Sequence, residues 1–223
     1  METRLEARLI SLTQPTIETR IPSAEALVGF CARVSSPDNQ EKYDTTEKLL
    51  TYCMKNNHWS IFEMVDATVE VQAPRDISRQ LLRHRSFYFQ EFSQRYSDQI
   101  EFTTREIRRQ DTKNRQNSIE DAELNHDYWE ADQSSLTYRV QNHYQTLIKE
   151  GVAKETARVI LPEGLTMSKL YMKGSLRSWL HYLQVREGGG TQLEHTILAN
   201  RIREAITPAF PTIFKVYNEA EVG

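Results

Sequence analysis

Cysteine is scarce in this chain, with only Cys31 and Cys53 among 223 residues. Two thiols cannot build a framework of bridges, and nothing implies export, so a reducing cytoplasm is the expected compartment. The opening Met1-Glu2-Thr3-Arg4 carries an acid and lacks the apolar segment of a signal peptide. Glycine and proline are few, 8 and 7, which excludes collagen-like and low-complexity chains. No apolar run approaches the ~20 residues of a membrane span, so no membrane partner is expected. A charge excess is missing too. The 28 Lys+Arg against 31 Asp+Glu leave a net charge of -3, whereas nucleic-acid-binding domains usually carry a basic surplus, so no nucleic-acid partner is expected.

What remains is an ordinary globular composition, 39% hydrophobic and 26% charged. At this length roughly 70–75% of the unfolded surface can be buried, enough for a core without a metal or disulfide staple. With no internal repeat and no long linker, residues 1–223 read as a single domain.

Residues 3–12 alternate in part and read as a strand. Apolar positions Ala26, Leu27, Phe30, Cys31 and Val34 give a helix over 23–34, and Leu49, Leu50, Cys53 and Met54 give a second one behind an Asp44 or Thr45 cap. Both cysteines fall on these apolar stripes and read as core residues. Residues 62–71 form a strand with Ala67, Val69 and Val71 on one face and Thr68, Glu70 and Gln72 on the other. After Pro74, Ile77, Leu81 and Leu82 carry a helix. Residues 102–125 are polar and aperiodic, and read as a long, mobile surface excursion. Helices follow over 128–148, ended by Gly151, and over 154–160, stopped by Pro162. A strand over 166–172 leads to a helix over 175–185. The glycines at 188–190 form a turn, and Thr191-x-x-Glu194 reads as a capping box opening the last helix through Ile197, Leu198, Ile202 and Ala205. Strands and helices mix without βαβ alternation, which gives an α+β fold around a mostly antiparallel central sheet packed with helices.

The even charge hides a local surplus. Arg75, Arg79, Arg83, Arg85 and Arg95 are balanced nearby only by Asp76 and Glu91. Arginine presents a planar fork of donors that matches phosphate. Gln80 and Ser93 add neutral donors, Glu91 can accept from a sugar hydroxyl, and Phe87, Tyr88, Phe89, Phe92 and Tyr96 offer a stacking surface. Together these suit a phosphorylated ligand with a ring. The competing reading is a solvated helix end with its arginines paired to acids. Likewise Glu155 and Arg158 fit an i, i+3 surface pair, and Arg186 suits a helix C-terminus. His58 and Glu63 flank Phe62 but lack a His-x-x-x-His or His-Glu-x-x-His spacing, so no metal site is expected.

Arg83-His84-Arg85, seven residues and then Ser93-x-Arg95 strongly resembles the signature of the flavin-dependent thymidylate synthases. His58-x-Ser60-x-Phe62-Glu63, Gln80, Glu155-x-Ala157-Arg158-x-x-Leu161-Pro162, Arg177-Ser178-x-x-His181-x-x-x-x-Arg186 and Gln192-x-Glu194 are similar to further blocks of that family, in order. Tyr88, Gln90 and Gly190 depart from its usual residues.

The resemblance implies that family's fold and the methylation of dUMP to dTMP, with methylenetetrahydrofolate as carbon donor and FAD, reduced by NADPH, carrying the hydride. It implies dUMP contacts from Gln80, Arg83, Glu91, Ser93, Gln94, Arg95, Arg158 and Arg186, with Arg186 and Ser93 catalytic. Arg186 would sit at the pyrimidine, favouring N3 ionisation and so activating C5. FAD contacts would come from His58, Ser60, Arg83, His84, Arg85, Glu91, Ser175, Arg177 and His181. A homotetramer with shared active sites is implied, as is chemistry without a cysteine nucleophile. Two other readings stay open: a single-stranded nucleic-acid binder using the arginine and aromatic cluster, and another flavoenzyme acting on a phosphorylated pyrimidine or folate. The first would be colourless and the second indifferent to dUMP.

Overall fold

In the computed structural model, which describes residues 3–188 and 190–221, four strands form one sheet in the order β1-β2-β6-β3. These are β1 Glu6–Leu12, β2 Asp66–Pro74, β6 Met167–Ser175 and β3 Tyr88–Glu91, and every pairing is antiparallel. Alternation in β2 falls as its sequence requires, since Ala67, Val69, Val71 and Ala73 are fully covered. They join Leu170 and Met172 of β6 beneath the helices. The other face is polar, with Arg8 bonded to Glu70 at 3.1 Å.

The helices are α1 Ala24–Ala32, α2 Thr46–Lys55, α3 Arg75–Leu81, α4 His126–Lys149, α5 Lys154–Ala157, α6 Leu176–Arg186, α7 Leu193–Ile206 and α8 Pro211–Glu221. Side chains of α1, α2, α3, α6, α7 and α8 join the core over the apolar face, whereas α4 packs on α5 and the turn that follows it. Their ends follow local chemistry. Ser23 caps α1 by accepting from the Ala26 amide at 3.0 Å, and Asn125 caps α4 by accepting from Tyr128 at 2.9 Å. Gly151, with φ of +82°, turns the chain after α4. Among the described residues no helix is long and apolar enough to cross a membrane.

Several expectations need correction. The strand read over 62–71 starts only at Asp66, because Trp59–Glu63 is a 3-10 turn that buries Phe62 instead. The segment 154–160 is one short α turn followed by a 3-10 turn over Arg158–Ile160. The Thr191 capping box does not form. Gln192 stands at the N-cap position of α7, and the Thr191 hydroxyl donates to Val185 O at 3.3 Å. The turn at 188–190 includes Gly189, which lies outside the described residues.

Strand β3 and helix α8 went unforeseen. Pairing of β3 with β6 breaks up the supposed stacking surface: Phe87 is buried against Trp179, 4.6 Å between ring centroids, while Tyr88 and Tyr96 are 77% and 84% exposed. The excursion is also less featureless than its composition implies. It carries a small hairpin of β4 Arg109–Gln110 and β5 Ser118–Ile119. Arg105 pins it down through an ion pair with Asp76 on α3 and another with Glu194 on α7, the latter at 3.0 Å.

Both central strands run straight into helices: β2 becomes α3 at Pro74, and β6 becomes α6 at Ser175. Because Pro74 pairs with Met167 and Asp66 with Ser175, the two helices leave opposite ends of the sheet.

Candidate active site

The far ends of α3 and α6 converge. Arg186, last residue of α6, donates from Nε to His84 Nε2 at 3.0 Å, just beyond the end of α3. Burial, then the Arg186 charge and His181, lower His84 to about 4, so the ring is neutral at pH 7 and accepts. Arg186 is thus a half-buried cation whose side chain bonds only a neutral ring, with no carboxylate partner among the described residues. On either side of His84, Arg83 and Arg85 are exposed and likewise without an acid among the described residues.

Gln80 ends up at the same place. Its Nε2 donates to Gln192 Oε1 at 2.7 Å, and its Oε1 meets Nδ1 of His195 at 3.0 Å. His195 is fully buried and bonds Tyr182 OH through Nε2 at 3.2 Å. Burial, helped by Arg186 and His84, lowers His195 to about 3. Neither His195 nor Tyr182 was foreseen. The available signal was a histidine in register with the buried stripe of α7, three residues before Leu198.

The remaining nucleotide candidates gather near the other end of α3. Arg75 donates to Gln94 Oε1 at 3.1 Å, and this Gln94 side chain is 3% exposed. Next to it Arg95 pairs with Glu155 at 3.3 Å. Glu155 therefore serves Arg95, not the i+3 Arg158, which keeps a half-buried guanidinium without an acid among the described residues. Ser93 is half-buried in this turn, and Glu91 accepts from Ser168 at 2.8 Å. Of the five clustered arginines, Arg79 pairs with Glu163. The paired reading of the cluster thus holds for Arg79 and Arg95 alone.

A cavity of about 490 Å³ lies beside the N-terminal half of α6, lined in part by Trp59, Glu63, Ser86, Arg177, Ser178 and His181. This volume is in the range of small-molecule pockets. Ser175 caps α6, Arg177 bonds Glu63, and His181 is exposed at the cavity. His58 lies outside it with its ring edge-on to Tyr52, and Ser60 lines a shallower apolar cavity with Cys31 and Met64. Burial raises the pKa of both cysteines, so neither is an activated thiolate.

The two central strands of this antiparallel α+β sheet thus lead into helices that bring Arg83, Arg85 and Arg186, without acid partners among the described residues, to one place, an arrangement chemically suited to an anionic ligand. The chain belongs to the flavin-dependent thymidylate synthase family and is an enzyme of the methyltransferase class: the family model described as thymidylate synthase complementing protein matches residues 16–212. It is 48% identical over 212 residues to the flavin-dependent thymidylate synthase of Synechocystis sp., covering 94% of this chain and 97% of that protein. A probable flavin-dependent thymidylate synthase of Paramecium bursaria Chlorella virus 1 is 44% identical over 213 residues, covering 95% and 98%. The fold resembles the UMP/dUMP methylase PolB from Streptomyces cacaoi bound with 5-Br dUMP, with a TM-score of 0.79 over 97% of this chain and 96% of that one. At 24% identity that likeness shows the fold alone.

Proposed function

We propose that the chain reductively methylates dUMP to dTMP, with methylenetetrahydrofolate as carbon donor and FAD, reduced by NADPH, as hydride carrier. The observation that carries this reading is Arg186, a half-buried cation held by the neutral His84 ring and left uncompensated by any protein acid among the described residues. Beside a uracil such a charge favours loss of the N3 proton and stabilises the negative charge that makes C5 nucleophilic. Arg186 and Ser93 are the catalytic residues. Gln80, Arg83, Glu91, Ser93, Gln94, Arg95 and Arg158 hold the nucleotide, the arginines serving its phosphate.

The residues present also fit a dinucleotide flavin. Arg83 and Arg85 are exposed cations without acids among the described residues, suited to a diphosphate, and the cavity beside His181 is large enough for a flat ring. His58, Ser60, Arg83, His84, Arg85, Glu91, Ser175, Arg177 and His181 would hold it. When bound, the flavin supplies the hydride that reduces the transferred carbon to a methyl group. No thiol is needed, because the two cysteines are kept protonated by burial. The enzyme works in the cytoplasm as a homotetramer with active sites shared between subunits.

The test begins with the visible spectrum of the protein loaded with FAD, which dUMP should perturb. Arg186→Ala should keep the flavin and lose dTMP formation by roughly a hundredfold or more, as for removal of a preorganised electrostatic group. Wild-type turnover in that variant refutes the role of Arg186, and a protein that takes up no flavin refutes the reading altogether.

A further inference from the structure

The hydrogen bonds around Gln80 can be given a direction from one end. Glu194, buried on α7, is paired with Arg105 at 3.0 Å, and its carboxylate can only accept. Gln192 therefore turns Nε2 toward it, at 2.9 Å, and presents Oε1 to Gln80. Gln80 must answer with its own Nε2, at 2.7 Å, which leaves its Oε1 facing His195 at 3.0 Å. An amide oxygen cannot donate, so His195 Nδ1 carries the hydrogen. In a neutral imidazole Nε2 is then the acceptor, and the Tyr182 hydroxyl donates to it at 3.2 Å. Burial and the nearby Arg186 charge keep the ring from taking a second proton.

We propose that His195 is a positioning residue: as the Nδ1–H tautomer, with Tyr182 donating to its Nε2, it anchors the Gln80 carboxamide oxygen so that the Gln80 N–H not taken by Gln192 is held toward an oxygen of the nucleotide. Gln80 has two N–H groups, and Gln192 takes one. Without the His195 donor Gln192 alone holds the carboxamide, the Gln80 Oε1 loses its partner, and the side chain can swing about that single bond and away from the ligand. The chain of bonds ends at Arg105, so the long segment before α4 sets the polarity of a group at the site. This role rests on the nucleotide reading given above.

The test is calorimetry of dUMP binding to the FAD-loaded enzyme. His195→Leu should weaken binding by roughly three- to tenfold, the worth of one hydrogen bond, while flavin content stays at the wild-type level. His195→Asn, which restores a donor near Nδ1, should recover most of that loss. Tyr182→Phe removes the hydroxyl without opening a cavity and should weaken dUMP binding by a smaller factor, which keeps the test decisive if the leucine variant folds poorly. In the Gln80→Ala background His195→Leu should have no further effect, because His195 acts through Gln80. Additive losses, or equal losses in the leucine and asparagine variants, overturn the positioning role and leave the nucleotide reading standing. A wild-type enzyme that binds no dUMP overturns both.

Discussion

Single residues decide more here than their chemistry announces. Gly174 on β6 lies against Phe87, and a Cβ there would come within 2.5 Å of the ring carbon Cδ1. Phe87 in turn packs edge-on to Trp179, so it has little room to retreat. Gly174→Ala should therefore cost about 1–3 kcal/mol, read as a lower urea midpoint; an unchanged midpoint would show that the ring moves freely. The buried histidines make a second prediction. His84 and His195 are held near 4 and 3, below the ordinary 6.5. The unfolded chain takes up protons below about 6.5 that the native state refuses, so stability is full above that value and falls as pH drops toward 4. His195→Asn should flatten this fall, losing about 2 kcal/mol less than the wild type between pH 7 and pH 5, measured by urea unfolding. Equal slopes would mean that His195 is protonated in the folded protein. At this scale the motif residues Gln80, His84 and Arg186 were legible through the resemblance of their blocks to a known family, since taken alone Arg186 suits no more than a helix C-terminus. His195 and Tyr182 were not, because a buried polar residue looks the same in sequence as an exposed one.

Elements were legible where their own periodicity is strong. Strand β2 and helices α1, α2, α4 and α6 appear within a few residues of expectation, since a stripe of apolar side chains fixes both the period and the face. Strand β3 escaped because it is four residues long, and only its pairing with β6 makes it a strand. The capping box failed for a tertiary reason: Glu194 is engaged by Arg105 and Gln192, which outweighs a bond back to the residue-191 amide. Arg105 itself holds the excursion to α3 and α7, and it also donates to Gly164 O at 3.0 Å. Arg105→Met should strand Asp76 and Glu194 as partly buried acids and destabilise the fold by roughly 3 kcal/mol. Proteolysis within residues 106–125 should accelerate as well; a variant as stable and as resistant as the wild type would show that the ion pairs do not anchor the segment.

For the whole molecule, the candidate nucleotide residues fall into two groups, Gln80, Arg83 and Arg186 near one end of α3 and Ser93, Arg95 and Arg158 near the other. If tetramer assembly brings groups of different subunits together, Arg186→Ala and Arg95→Ala should each be inactive alone. Mixed and reassembled, they should regain activity at roughly a quarter of the sites. No recovery in mixed tetramers would place both groups of each site on one subunit.

The sequence by itself determined the α+β class, the antiparallel sheet and the family, because these rest on local periodicity and on ordered motifs that need no third dimension. Tertiary structure alone decided which arginines are free and which are paired, and which histidine is buried beside Gln80. Those outcomes depend on contacts between residues a hundred positions apart, such as Gln80 with Gln192 and His84 with Arg186. Burial sets the charge of each group only once those distant partners are in place.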